Sequence, residues 1–399
     1  LGPAEGSAWK KFNSVAQSVY KTFVRRNFNP EKDIYFLSPD PNQTEGAQAE
    51  TTLKTLEYAI TSWAAQEVNQ NVPLYIYLLS HNLRDQFLVQ RRGIEDDYLS
   101  PDQLDLWLDK LPAQTPVTII IEACYSGNFI NDRLSASNRT IITSASANNQ
   151  AMIMRSSSFS RYFFDRIGAN QTMAEAFEQT RQQMQQLATY QTQNPQIDVN
   201  GNAVANELLD LRALGQRRIP ADISSLSLPP AFARQLPAQT IGQGESPKLE
   251  IELVGSGIDQ VLVEIIPPNF EASAVFNSWQ QAEERIQEVD LIAVDSQAGQ
   301  PKYQLQYDGF DQVGDYQLIF QASNLDGWAQ PMQTTVTVTD QSAARLTGDV
   351  NGDGTVNIFD LVIAAGSFGK TGTGIMGDVN GDGGVNIFDL VIVAGNFGQ

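Results

Sequence analysis

The first half of the chain carries two long apolar runs. One is Val72-Pro73-Leu74-Tyr75-Ile76-Tyr77-Leu78-Leu79, followed by Ser80-His81-Asn82. The other is Val117-Thr118-Ile119-Ile120-Ile121, followed by Glu122-Ala123-Cys124-Tyr125-Ser126-Gly127. Apolar runs of this length read as inner strands of a parallel sheet, buried on both faces. Around them the period lengthens to that of a helix. Phe12, Val15, Val19 and Phe23 share one helical face, and Leu53, Leu56, Ile60 and Trp63 share another. Leu104, Trp107, Leu108 and Leu111 mark a third helix, entered through Ser100-Pro101-Asp102, an N-cap with proline in the first turn. Ile34–Leu37 and Thr140–Ile142 read as short strands, and Phe159–Ile167 and Met173–Leu187 as helices. Strand–helix alternation of this kind predicts a parallel α/β sheet with helices on both faces, over residues 1–220.

Further on the pattern changes twice. Pro220, Pro229, Pro230 and Pro237, among Ser, Ala and Gln, predict a linker over 221–246. Apolar and polar residues then alternate in Leu249–Leu253, Val261–Ile265, Tyr316–Phe320 and Thr334–Val338. Short strands at this density predict an all-β, immunoglobulin-like sandwich over 247–340, a type of module that more often spaces or supports than catalyses. The segment 344–399 holds a repeat: Gly348–Gly369 and Gly377–Gly398 match at nearly every position. Internal duplication marks one supersecondary unit used twice.

The 399 residues carry a net charge of -20, which argues against nucleic acid or an anionic membrane as partner. No apolar run reaches the roughly 18 residues a membrane span needs. A single cysteine excludes intramolecular disulfides and leaves the compartment unread. The chain opens with a loop and goes straight into a helix, whereas an α/β sheet usually begins with a strand. A fragment or processed form, without its leader and its first strand, is the expectation here.

Each tail copy reads Asp-Val-Asn-Gly-Asp-Gly-x-Val-Asn-Ile-Phe-Asp. This spacing wraps oxygens around one point: Asp349, Asn351, Asp353, Thr355, Asn357 and Asp360 in the first copy, and Asp378, Asn380, Asp382, Gly384, Asn386 and Asp389 in the second. Ca2+ takes six to eight hard oxygens, and Gly354 and Gly383 permit the sharp turn at position six. Two calcium ions are therefore expected. A third, degenerate loop runs through Asp198, Asn200 and Asn202, with Asn206 at position nine. It has Ala203 at position six and Asp210 one place late. A weak calcium site and a plain turn are equally good readings of it.

The only imidazole, His81, and the only thiol, Cys124, both follow apolar strands. Chemistry in open α/β sheets collects just beyond strand carboxyl ends. A thiol attacks a carbonyl as thiolate, with a neighbouring imidazole taking and later returning the proton. Backbone N–H groups at the strand ends, those of Asn82 and Cys124, are candidates for holding the oxyanion. Gly127, after Ser126, is expected to give a tight turn that exposes the thiol. The plain alternatives are a buried core cysteine and a strand-end histidine bonded to backbone.

Glu122-Ala123-Cys124-Tyr125-Ser126-Gly127 resembles the nucleophile motif of the legumain family of cysteine peptidases, in the caspase-like clan. The resemblance covers roughly 7–220, including the stretch Asn82–Leu111 and the strand Thr140–Ala145. It implies a caspase-like fold in which His81 is general base and acid, Cys124 is the nucleophile, and Glu122 and Ser144 line the substrate pocket. The family has Gly after the histidine, where this chain has Asn82. Asn tolerates positive φ better than most residues, so the oxyanion geometry can persist. The tail, with Asp instead of Glu at position twelve and one helix per loop, resembles the type I dockerin module. That resemblance implies a small all-α domain, binding to a cohesin-bearing protein through Ile358, Phe359, Ile387 and Phe388, and a secreted or cell-surface, bacterial-type setting. Three functions stay open: an endopeptidase acting on peptide or protein substrates, a transpeptidase using the same thioester, and an inactive calcium-dependent binding protein.

Overall fold

The computed structural model describes all residues except 4–5, 92–95, 220–228, 271–284, 298–299, 325–326, 341–345 and 373. Of the expected linker, 221–228 lie outside the described residues, and the rest is not a plain linker: Ala231–Phe232 pairs antiparallel with Leu253 and Val254, and Gln239–Gly242 forms a second strand. Two compact units emerge. One comprises Leu1–Gln235, Glu250–Gln304 and Ile319–Met332; the other comprises Leu236–Leu249, Leu305–Leu318 and Gln333–Gln399.

In the first unit the two apolar runs become neighbouring parallel strands, Leu74–Leu79 and Val117–Glu122, in register from Leu74↔Val117 to Leu79↔Glu122. Arg139–Thr143 pairs in parallel on the other side of Val117–Glu122. Gln196–Asp198 then closes that edge antiparallel. The sequence pattern gives no sign of this last strand, because three residues are too few to show a period. The Ile34–Leu37 expectation reduces to Leu37–Ser38, paired with Ala49–Glu50.

Alternation along the strands feeds two cores. Ile120 and Ile142, with Tyr75 and Tyr77, pack among residues of the helices Phe159–Gly168 and Met173–Gln186. Ile119, Ile121 and Ile141 face the opposite way, towards Leu56, Ile60, Leu104 and Trp107. Every residue of Val117–Glu122 is buried, which is why that strand reads as an unbroken apolar run. The helix Gly6–Arg25 sends Phe12, Val15 and Ala16 against Leu79 and Ile153. At the sheet's outer edge the Gly2 N–H donates to the Leu79 carbonyl at 2.8 Å. Beside Leu74–Leu79 runs an apolar cavity of about 490 Å³.

After His81 the chain forms a small antiparallel sheet, Asn82–Leu83, Gln86–Gln90 and Asp97–Leu99. The β-rich part of the first unit includes Ile258–Ile266 paired antiparallel with Gln287–Asp290, and Gly327–Trp328 paired with the end of Gly314–Asn324. In the second unit Gln239–Gly242 pairs in parallel, from Gln239↔Val336 to Gly242↔Thr339.

The tail forms the helices Ile358–Gly366 and Ile387–Gly395 around Val350, Val356, Ala364 and Val393. The two copies grip each other reciprocally. Val356 bonds Gln399 and Gly398 at 3.0 and 2.8 Å, and Val385 bonds Lys370 and Gly369 at 2.9 and 2.8 Å. A Cβ at Gly377 would lie 2.9 Å from the Ala364 Cα, and one at Gly348 3.1 Å from the Val393 Cα. Sequence duplication has thus become near two-fold symmetry, with glycine where the copies touch.

Candidate active site

The parallel register locates the lone imidazole and the lone thiol. Leu79 pairs with Glu122, and His81 and Cys124 each follow two residues later. They lie at the same level, just past the carboxyl ends of adjacent strands. The Ser80 N–H bonds the Glu122 carbonyl at 3.3 Å, carrying the pairing one step beyond the sheet. The His81 ring is half-buried against Phe12, with centroids 5.1 Å apart.

Asn82 does not adopt the left-handed backbone that its replacement of glycine suggests: Arg84, at φ 61°, does. Asn82 is instead a strand residue facing Phe87. The His81 carbonyl accepts the Leu88 N–H at 2.9 Å. Antiparallel pairs alternate, so the Asn82 N–H points away from that ladder. Its side-chain amide donates to the Cys124 carbonyl at 2.7 Å and also to the Arg84 carbonyl. Its Oδ1 is buried without a partner among the described residues.

Cys124 is not exposed by the following turn; it is only 2% accessible. Gly127 serves another purpose. A Cβ there would overlap the Ala147 nitrogen and the Ser146 carbonyl carbon, so its absence lets the Ser144–Ser158 loop close down. Tyr125 takes the left-handed conformation, φ 54°, and its N–H bonds the Asn149 carbonyl at 2.8 Å. The loop then lays the Ala151 N–H on the sulfur at 3.4 Å. Burial pushes the thiol up to about 12, and the Ala151 N–H offsets only part of this. The closed site therefore holds a neutral thiol, the opposite of what attack requires.

Glu122 and Ser144 are both fully buried. Glu122 faces the helix Phe159–Gly168, where Ser158 Oγ and the Ser160 N–H donate to Oε2 at 3.2 and 3.1 Å. A carboxylate suits a helix N-terminus, but burial still drives Glu122 up to about 7. Ser144 Oγ accepts the Ala123 N–H at 3.2 Å and so props the strand leading to Cys124. Sequence reasoning missed Gln193, which ties the loop down: its Oε1 accepts the Met152 N–H and its Nε2 donates to the Ser144 carbonyl, both at 2.8 Å. A lone glutamine outside any motif leaves no signal for this.

The three Asp/Asn loops share one internal scheme. In the first tail copy, Asp360 accepts N–H groups of Val350, Asn351 and Asn357 at 2.8, 3.1 and 2.9 Å. Asp389 repeats this with Val379, Asn380 and Asn386 at 2.8, 3.2 and 2.8 Å. Although one place late, Asp210 does the same with Val199, Asn200 and Glu207 at 2.8, 3.3 and 2.9 Å. Ala203 sits at φ 62°, where Gly354 and Gly383 have 81° and 87°. Glu207 takes the N-cap place that Asn357 and Asn386 hold in the tail, and its carboxylate accepts the Asn200 and Asn202 amides at 3.0 and 2.5 Å. In the tail, Ile358, Phe359, Ile387 and Phe388 are all more than half exposed.

Among solved structures, the chain resembles titin domain M7 at 11% identity and a TM-score of 0.17, covering 28% of this chain and 93% of that one. It resembles titin domain M3 at 14% and 0.16, covering 28% and 98%. The sialic acid binding region of the Streptococcus sanguinis SK1 adhesin follows at 12% and 0.18, covering 44% of each chain. Scores this low carry no argument about fold or function. No curated protein matches the chain. Residues 65–206, the segment that holds both His81 and Cys124, match the Peptidase C13 family, and this match supports a cysteine peptidase of the legumain type.

Proposed function

We propose that the chain is a cysteine endopeptidase with a His81–Cys124 dyad. With the loop open, His81 takes the Sγ proton as sulfur attacks the scissile carbonyl. The backbone N–H groups of Asn82 and Cys124 hold the oxyanion. The C–N bond then breaks, the amine leaves with the proton from His81, and water hydrolyses the thioester. What supports this reading is the Leu79↔Glu122 register, from which His81 and Cys124 each follow two residues later at the ends of adjacent strands. Glu122, buried at the helix start, would position the strand and not touch substrate. The test is a peptide library incubated with the full chain and with Cys124→Ala. Cleavage should vanish in the variant; residual cleavage by it defeats the dyad.

One observation favours a second reading, an inactive binding protein: the thiol is buried, neutral and covered. Peptide cleavage by the native chain would exclude it.

The tail we read as a type I dockerin that binds two Ca2+ and a cohesin-bearing, extracellular partner. The Asp378 Oδ1, buried without a hydrogen-bond partner among the described residues, is available to a cation. Among those residues no three His, Cys, Asp or Glu side chains converge, so asparagine and main-chain oxygens would complete the shell. The shared bonding scheme supports a third, weaker calcium site at Asp198, Asn200 and Asn202, with Glu207 added. The exposed Ile358, Phe359, Ile387 and Phe388 offer the apolar contact surface such a partner needs.

A further inference from the structure

The loop that covers Cys124 is gripped at its far end by the β-rich part of the same unit. Four residues after Ala151, the Arg155 N–H donates to Glu288 Oε1 at 3.0 Å, and its guanidinium pairs with Asp290 Oδ1 at 2.8 Å. Ser156 Oγ donates to Glu264 Oε1 at 3.0 Å and reaches Glu288 Oε1 at 3.4 Å. Glu264 lies on Ile258–Ile266, and Glu288 and Asp290 lie on Gln287–Asp290. The Arg155 carbonyl is held as well, by two Arg161 N–H groups at 3.1 and 2.9 Å, while that guanidinium stacks over Trp328 at 4.9 Å. Arg155 is thus fixed through its amide, its carbonyl and its side chain.

Glu264 and Glu288 are directly opposite each other in the strand pair. Like charges in that position are destabilising, and Glu264 is fully buried. Burial, followed by the Glu288 charge, lifts the Glu264 carboxyl to about 7. Around it, Gln321 Nε2 donates to Oε1 at 3.0 Å, and Oε2 has no partner among the described residues. A strand pair built for stability alone would not choose two facing acids. This one makes sense as a receptor for Arg155 and Ser156.

A substrate carbonyl has to come within about 3–3.5 Å of the sulfur. It cannot do so while Ala151 is seated on Sγ and the residue is 2% accessible. We propose that the β-rich region is a latch: Glu264, Glu288 and Asp290 hold the Ser144–Ser158 loop closed over Cys124 through Arg155 and Ser156, and releasing that grip uncovers the thiol. Its functional meaning rests on Cys124 being the nucleophile, but the gating itself concerns only access to sulfur.

Cys124 is the chain's only cysteine, so alkylation by iodoacetamide, followed by intact mass, reports this site alone. The full chain is compared with Arg155→Ala/Ser156→Ala and, on the other side of the grip, Glu288→Gln/Asp290→Asn. Both variants should alkylate about tenfold faster or more, as when an open minority state gains that much weight. Amide exchange at Ala151 should accelerate with it, while the Ile119–Ile121 amides stay protected, which shows that the sheet is intact. If a double variant loses that protection, Ser156→Ala alone takes its place under the same criterion. Rates unchanged or lowered in folded variants overturn the latch. Faster alkylation without peptide cleavage keeps the latch and sinks the peptidase reading. Cleavage by a native chain whose latch variants alkylate no faster sinks the latch alone.

Discussion

At the scale of single residues, burial sets the chemistry. Glu122 is held at about 7, above its ordinary 4.5, chiefly by desolvation. A carboxyl raised in this way binds its proton more tightly folded than unfolded. Its contribution is therefore fully present below the unfolded value and is lost as pH climbs towards 7. Over that window it should cost on the order of 3 kcal/mol of stability. Urea unfolding from pH 4.5 to 7 should show this decline in the native chain and a flatter profile in Glu122→Gln. Equal slopes would mean that Glu122 does not titrate in that range. Asn82 acts differently: its amide bridges the strand end of His81 to the Cys124 carbonyl. Asn82→Ala leaves that buried carbonyl short of a donor and should lower the unfolding free energy by about 1–3 kcal/mol. A denaturant midpoint unmoved by the substitution would show that the bond contributes nothing.

At the scale of elements, the central strands and long helices were legible because their apolar faces repeat over enough residues. Val117–Glu122 and Met173–Gln186 are examples. The antiparallel Gln196–Asp198 and the sheet after His81 were not legible, since strands of two to five residues carry too little periodicity. The positions of His81 and Cys124 could be read from sequence because a strand end is a sequence feature. The closed loop could not, because closure depends on contacts between residues far apart, such as Met152 with Gln193 and Arg155 with Glu288. Gly127 shows the same limit. In sequence it marks a turn that frees the thiol, but in space it is the gap into which the covering loop settles. Gly127→Ala should therefore push the loop away, costing about 1–3 kcal/mol by overpacking, and should raise Cys124 alkylation. A variant with native melting temperature and native alkylation rate would show that the loop does not depend on that gap.

At the scale of the whole molecule, the β-rich strands are more than a spacer, since three of their acids hold the loop over the thiol. The calcium binding proposed for the tail is a separate matter. Carboxylates crowded into short loops repel one another unless a cation fills them. Chelation by EGTA should reduce the tail's helical circular dichroism, and returned Ca2+ should restore it; a signal indifferent to both would remove calcium from the account.

The central claim is that His81 activates Cys124 for attack on a peptide carbonyl. The most direct measurement is the intact mass of the chain after exposure to a peptide bearing an electrophilic carbonyl-like warhead. The account predicts one adduct, on Cys124, that forms in the native chain and fails to form in His81→Ala while iodoacetamide still labels the sulfur. An adduct that forms equally well without His81 would mean a merely accessible thiol, and would contradict it.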